Sequence, residues 1–115
     1  MNCAIGIPAF NEEKSIAGII TRLKKKYQTI IVCDDGSSDL TGEIAKELGV
    51  IVITHPKNLG YGGAIRSIFL KSSELQMDAL VTFDADGQHD VNDIDLVLKP
   101  IIEDKSDICI GSRFL

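Results

Sequence analysis

Two patterns of apolar residues alternate along this chain: short unbroken apolar runs, and longer stretches in which apolar residues recur at helical spacing. The runs are rich in Ile, Val and Cys, which is typical of strands buried on both faces of a sheet. They predict strands over residues 3–7, 29–33, 50–54, 79–83 and 107–110.

The stretches between these runs predict amphipathic helices, because their apolar residues lie three or four positions apart. The expected inward faces are, in chain order, Ile16, Ile19, Ile20 and Leu23; Leu40, Ile44, Ala45 and Leu48; Ile65, Ile68 and Phe69; and Ile94, Val97, Leu98 and Ile101. The expected start signals are Asn11, Ser38 or Asp39, the glycines at 60, 62 and 63, and Asp90, while Gly49 is placed to end the second helix.

Strands of this kind that alternate with helices predict an α/β fold with three layers and a mainly parallel, Rossmann-like sheet. In such a sheet every strand delivers its carboxyl end to the same edge, where ligands bind. The loops expected at that edge cover residues 8–12, 34–38, 55–63, 84–89 and 111–113. They hold most of the unusual polar residues and glycines, so the sequence predicts a site there.

The composition of the chain excludes some classes of function. The chain has 115 residues and fits one domain, and its formal charge of −5 argues against nucleic-acid binding, which needs a basic face. No apolar run is long enough to span a membrane. Cys3, Cys33 and Cys109 lie in apolar runs without zinc-site spacing, so we interpret them as small buried hydrophobic residues in a reducing cytoplasm.

The strongest chemical signal follows the fourth predicted strand. Asp84 and Asp86 end the apolar run, and Gln88 comes two residues later. Carboxylate and amide oxygens are hard ligands, suited to Mg²⁺ or Mn²⁺. The alternative is an ordinary turn, because Asp and Gly are common turn residues.

Three further positions have both a functional and a structural interpretation. Asp35 could accept a hydrogen bond from the N–H edge of a uracil or guanine, or it could be a turn or cap residue. Arg113 could pair with a phosphate oxygen, or it could be a solvent-exposed residue at the chain end. Gly62, with the neighbouring glycines, suggests close approach of a ligand to a helix N-terminus.

Five stretches together resemble the donor-binding half of family 2 glycosyltransferases with the GT-A fold. These stretches are IPAFNEE at 7–13, VCDDGSSD at 32–39, NLGYGGAIRSIF at 58–69, DADGQH at 84–89 and GSRF at 111–114. Each is weak alone, but five in the family's order are specific, and they cover essentially the whole chain. The last two are most similar to the polyprenyl-phosphate (dolichyl-phosphate) mannose or glucose synthase branch.

The resemblance implies roles for residues that match the family's motifs. Asp84 and Asp86 match the metal-binding D-x-D motif, with Ala85 between them and Gln88 as a third residue on the metal side. Asp35 matches the aspartate that binds the base, and Arg113 matches an arginine that faces phosphate groups. Pro8, Ala9, Phe10 and Glu12 match the loop that borders the nucleoside, although the branch usually has Tyr at the position of Phe10.

The implied reaction is transfer of a hexose, with inversion, from a nucleoside diphosphate sugar of the GDP-mannose or UDP-glucose type. The implied acceptor is a polyprenyl phosphate at the cytoplasmic face of a membrane. Chains of this family normally continue well beyond the GSR segment. We therefore expect residues 1–115 to be a donor-binding domain without the acceptor part, truncated after about five strands, whose uncovered apolar surface favours a homodimer.

Two alternatives stay open on the sequence. One is a nucleotide-sugar-binding module without transfer activity, which the absent acceptor part favours. The other is a nucleotidyltransferase with a similar sheet, but PAFNEE stands where its basic, Gly-rich signature is expected.

Overall fold

The computed structural model describes residues 2–83 and the strand at 108–110. Its strands are β1 Cys3–Ala9, β2 Thr29–Asp34, β3 Ile51–Thr54, β4 Ala79–Thr82 and β5 Ile108–Ile110. Its helices are α1 Ile16–Lys24, α2 Thr41–Glu47 and α3 Tyr61–Glu74. All four strand pairings are parallel, in the order β3-β2-β1-β4-β5. The predicted α/β fold with a parallel sheet is confirmed, and the fourth predicted helix lies outside the described residues.

The sheet is covered on both faces. Alternate residues of β1 contribute to two separate cores, with Ile5 and Ile7 in the core under α1 and α2, and Ala4 in the core under α3. The predicted inward face of α1, formed by Ile16, Ile19, Ile20 and Leu23, is fully buried. The three layers follow from this alternation, because successive side chains of a strand point to opposite faces.

The strand order places a switch point beside β1. From β1 the chain moves outward through β2 to β3, and α3 then returns it to β4 on the other side of β1. The carboxyl ends of β1 and β4 therefore lie side by side at the switch point, where open α/β sheets bind ligands.

Strand β1 continues through Pro8 to Ala9, although the sequence predicted a strand that ends at residue 7. The carbonyl of Gly6 accepts from Phe83 on the β4 side, and the carbonyl of Ala9 accepts from Asp35 on the β2 side. By alternation, the nitrogen of Pro8 faces the β4 side, beyond Thr82, which is the last residue of β4 that pairs with β1. The missing N–H of proline therefore falls at the end of the β1–β4 ladder, where the pairing of the two strands stops.

The predicted starts of the first two helices were wrong. Asn11 has a φ of +54° and lies in a loop, and α1 begins at Ile16 after Ser15. Helix α2 begins at Thr41 after Leu40. Asn11 and Ser38 bond to each other across the two loops, while Asp39 accepts the N–H of Thr41, the first residue of α2. Gly49, with a φ of +81°, does end α2 as predicted.

Two predicted inward residues are exposed. Leu40 precedes α2 and is 59% exposed, while Phe69 is 42% exposed. The buried face of α3 consists of Ala64, Ile68 and Ser72, which recur every four residues. Ile68 packs on Gly6 of β1, and this contact fixes the rotation of α3 so that Phe69 turns away from the sheet. Across the described ranges, no helix has both the length and the hydropathy needed to cross a membrane.

Candidate functional site at the carboxyl edge of the sheet

The ends of β1, β2 and β3 are joined by backbone hydrogen bonds that continue past the strands. Asp35 N–H donates to the carbonyl of Ala9 at 2.9 Å, and His55 N–H donates to the carbonyl of Asp34 at 2.9 Å. The register pairs Asp34 with Thr54, so Asp35 and His55 are the next residues of two neighbouring strands. The structure therefore brings together the predicted site loops 8–12, 34–38 and 55–63.

The carboxylate of Asp35 is buried, with 5% of its side chain exposed. Oδ1 lies 2.7 Å from His55 Nδ1 and accepts the backbone N–H of Leu59 at 2.9 Å. Oδ2 accepts the backbone N–H of Gly60 at 2.9 Å. The side-chain amide of Asn58 donates to the backbone carbonyl of Asp35 at 3.3 Å. Asp35 therefore connects β2 to the loop that leads into α3.

The chemistry of this network fixes the role of each histidine nitrogen. An ionised carboxylate can only accept hydrogen bonds, so Nδ1 of His55 donates to Asp35. Nε2 lies 2.7 Å from the hydroxyl of Ser67 on α3 and can accept its proton. The chain Asp35–His55–Ser67 therefore connects β2, the end of β3 and α3 through buried or half-buried side chains.

Asp35 is ionised at neutral pH. Burial by itself would raise the pKa of its carboxyl group, but the hydrogen bonds from His55, Leu59 and Gly60 lower it by more, and the pKa lies below its ordinary value. The site thus presents a fixed negative charge at the carboxyl edge of the sheet.

Asp34 has a structural environment of its own. Its Oδ1 accepts the N–H of Ser37 at 3.0 Å, and its other oxygen lies against Gly42, where a Cβ atom would collide with it. Asp34 therefore holds the turn after β2 against the start of α2. Of the two adjacent acids, Asp34 thus has a structural role, and Asp35 is also bonded within the protein.

The loop after β1 is bonded to the loop after β2. The side-chain oxygen of Asn11 accepts the N–H of Ser38 at 2.9 Å, and Asn11 N–H donates to Ser37 Oγ at 2.9 Å. Glu12 N–H donates to Thr41 Oγ1 at 2.8 Å. These bonds position the predicted nucleoside-bordering residues, of which Pro8 is half-buried, Ala9 is buried and Phe10 is 45% exposed.

The predicted glycines lie at the N-terminus of α3. Gly60 has a φ of +90°, which favours glycine, and it precedes the first residue of the helix. Gly62 is exposed, and a Cβ atom there would meet nothing within 4 Å. The space beside Gly62 is open, as a close approach of ligand to backbone requires.

The predicted metal and phosphate residues Asp84, Ala85, Asp86, Gln88 and Arg113 lie outside the described residues. Strand β4 is parallel to β1, and the chain leaves it after Phe83 at the same edge as Asp35. Within residues 2–83 and 108–110, no group of three or more His, Cys, Asp or Glu side chains could hold a metal ion.

His55, Asn58 and Ser67 had no role predicted from the sequence. A usable signal existed for His55, because it follows β3 directly as Asp35 follows β2. If β2 and β3 pair in register, Asp35 and His55 lie next to each other. Ser67 had no such signal, since its contact depends on how α3 is rotated.

The model of the family described as glycosyl transferase family 2 matches residues 4–115. The chain belongs to this family. Its fold is also similar to a solved structure: glucosyl-3-phosphoglycerate synthase from Mycobacterium tuberculosis, in complex with Mn²⁺, UDP and glucosyl-3-phosphoglycerate, superposes with a TM-score of 0.72 at 26% identity. That match covers 87% of this chain and 39% of the synthase.

Two curated relatives carry names from the predicted branch. The UDP-N-acetylglucosamine–dolichyl-phosphate N-acetylglucosaminyltransferase of Methanococcus voltae is 43% identical over 125 residues, covering 93% of this chain and 50% of the relative. The dolichol-phosphate mannosyltransferase of Pyrococcus furiosus is 34% identical over 123 residues, covering 100% of this chain and 34% of the relative. The chain therefore spans half or less of the length of both relatives.

Proposed function

We propose that this chain is the nucleotide-sugar-binding part of a glycosyltransferase that transfers a hexose from a nucleoside diphosphate sugar to a polyprenyl phosphate. The observation that carries the proposal is the buried, ionised Asp35 at the carboxyl edge of a family 2 sheet, beside the switch point. Relatives named as dolichyl-phosphate and dolichol-phosphate sugar transferases support the choice of acceptor.

In this proposal Asp35 accepts an N–H of the base. The exposed ring of Phe10 and the half-buried Pro8 border the nucleoside from the loop after β1. That loop is held in place by the bonds of Asn11 and Glu12 to the loop after β2, so the base would meet a preformed surface. Preformed contacts reduce the entropy that is lost on binding.

The divalent ion is assigned to Asp84, Asp86 and Gln88. Two carboxylates and an amide oxygen form a donor set that suits Mg²⁺ or Mn²⁺, and the described residues offer no competing cluster. When bound, the ion would supply Lewis-acid stabilisation of the departing diphosphate. Arg113 is assigned to the same phosphates as a bidentate donor.

The acceptor class also fits the chemistry of the chain. A prenyl phosphate is already anionic, so its attack on the sugar needs little help from a general base, whereas a sugar hydroxyl needs one. The donor half alone therefore carries most of the groups that the proposed reaction requires.

We expect Asp84→Asn and Asp86→Asn each to weaken Mn²⁺-dependent binding of a nucleoside diphosphate sugar by at least about tenfold, because each removes a charged ligand of the ion. Calorimetric titration of UDP-glucose and GDP-mannose, with Mn²⁺ and with EDTA, measures this loss. Asp78→Asn is the matched control, since Asp78 is exposed and precedes β4 at the opposite edge of the sheet.

Unchanged metal-dependent binding in both variants would refute the metal assignment. Transfer of radiolabelled hexose to a prenyl phosphate by the wild-type chain would establish catalysis. Tight donor binding without transfer would instead favour the binding module.

A further inference from the structure

The carboxylate of Asp35 has room for one more hydrogen bond. A carboxylate offers about four acceptor positions, two on each oxygen. Oδ1 is engaged by both His55 Nδ1 and the N–H of Leu59, whereas Oδ2 accepts, from residues 2–83 and 108–110, only the N–H of Gly60. The open position is therefore on Oδ2.

The donors on Oδ1 are held in place by the surrounding structure. His55 is 8% exposed, and its other ring nitrogen is bonded to Ser67. The backbone at 57–58 packs against Gly36, where a Cβ atom would come within 2.5 Å of Asn58 N. Releasing either donor from Oδ1 would leave a polar group without a partner, which is costly in a buried site.

The bases of common sugar donors differ in what they present to such a carboxylate. Uracil presents a single N–H, at N3, between two carbonyl oxygens. Guanine presents N1–H and the 2-amino group side by side, and this pair calls for both oxygens of one carboxylate, as other paired donors do. Guanine would therefore need a third donor on Oδ1, whereas uracil needs only the open position on Oδ2.

From this count we infer that the donor nucleotide carries uracil rather than guanine. The inference rests on the proposed function, in which Asp35 contacts the base. His55 then has a specificity role as a positioning residue, because it occupies the oxygen that the 2-amino group of guanine would require.

The test compares nucleotides that share a diphosphate, so that differences in affinity report the base. We expect the wild-type chain with Mn²⁺ to bind UDP at least about tenfold more tightly than GDP, and 3-methyluridine 5′-diphosphate at least about tenfold more weakly than UDP, because one charge-assisted hydrogen bond is gained or lost. Inosine 5′-diphosphate lacks the 2-amino group and is expected to bind more tightly than GDP. GDP binding as tightly as UDP, or more tightly than inosine diphosphate, would overturn the inference.

Two variants separate this inference from the proposed function. Asp35→Ala should weaken UDP binding but not pyrophosphate binding, with Asp78→Ala as the control. Equal losses for both ligands would refute the base-binding role itself, and with it the proposed function of Asp35. His55→Leu, which frees Oδ1, should narrow the ratio of UDP to GDP affinity at least threefold in folded protein. An unchanged ratio would refute the role of His55, and the wild-type nucleotide series decides the choice of base if either variant fails to fold.

Discussion

At the scale of single residues, the environment of Asp35 depends on partners far away in sequence. His55 is 20 residues away, and the N–H groups of Leu59 and Gly60 lie further on. The sequence showed an acid in a ligand-facing loop but not how many of its acceptor positions the protein itself uses. That number follows only from the pairing of β2 with β3 and the approach of α3.

We expect His55→Ala to lower the free energy of unfolding by about 2–4 kcal/mol, because a buried charged hydrogen bond is lost and a cavity forms. Ser67→Ala should cost only about 1 kcal/mol, since it removes a neutral hydrogen bond from a half-buried position. Urea unfolding at pH 7 measures both values. Equal costs for the two variants would contradict a network centred on the carboxylate.

The reactivity of the Cys33 thiol also depends on its tertiary environment. Its side chain is buried, and its Sγ lies 3.6 Å from His55 Nε2, an arrangement that in another setting would activate a thiol. Here burial, followed by the charges of Asp35 and Asp34, raises the pKa of the thiol to about 12. For Cys3, burial raises the pKa to about 11.

We therefore expect Cys33 to resist alkylation in the native chain at pH 8, because the thiolate is the reactive form and is scarce four units below the pKa. Peptide mass spectrometry after iodoacetamide treatment checks this, with urea-unfolded chain as the control that must be labelled. Rapid labelling of native Cys33 would show that the thiol is accessible and ionisable.

At the scale of elements, one close contact with the sheet determines how helix α3 is rotated about its axis. Gly6 lies under Ile68, and a Cβ atom at position 6 would collide with Cγ2 of that side chain. Ile68 is β-branched, so it has little rotamer freedom with which to yield. The contact explains why Ala64, Ile68 and Ser72, rather than Phe69, face inward.

Gly6→Ala should therefore destabilise the chain by about 1–3 kcal/mol through overpacking. Gly18→Ala is the matched control, because Gly18 lies on the exposed face of α1 with nothing within 4 Å of a Cβ atom, and alanine there should stabilise the helix by roughly 0.5–1 kcal/mol. Thermal and urea unfolding measure both changes.

A double-mutant cycle tests the cause of the expected loss at position 6. In an Ile68→Ala background the Gly6→Ala change should cost much less, because the colliding methyl group is gone. If Gly6→Ala lowers the free energy of unfolding equally in both backgrounds, the strain does not come from contact with Ile68.

At the scale of the whole molecule, parallel strands gather distant loops at one edge. Residues after β1, β2 and β3 are bonded there, and the chain leaves β4 at the same edge. A ligand that spans these loops would link four strands, so its binding energy adds to the stability of the fold.

We expect a donor nucleotide with Mn²⁺ at 100 times its Kd to stabilise the chain by about 2.7 kcal/mol, which raises the Tm by on the order of 10 °C for a domain of this size. Differential scanning fluorimetry with UDP-glucose and GDP-mannose measures the shift. Mn²⁺ alone and nucleotide with EDTA are the controls. An absent shift at saturating donor would count against a preformed donor site.

The sequence by itself determined the order of the described strands and helices, the buried face of α1, the stop at Gly49 and the meeting of loops 8–12, 34–38 and 55–63 at one edge of the sheet. These features follow from local periodicity and turn chemistry, which each segment carries alone. The tertiary structure decided the later starts of α1 and α2, the passage of β1 through Pro8, the outward turn of Phe69 and the hydrogen-bond partners of Asp35. Each of these depends on hydrogen bonds or packing between segments 20 or more residues apart, such as Asn11 with Ser38 and His55 with Asp35. No local pattern encodes such contacts, because they exist only once the strands have paired and the helices have docked.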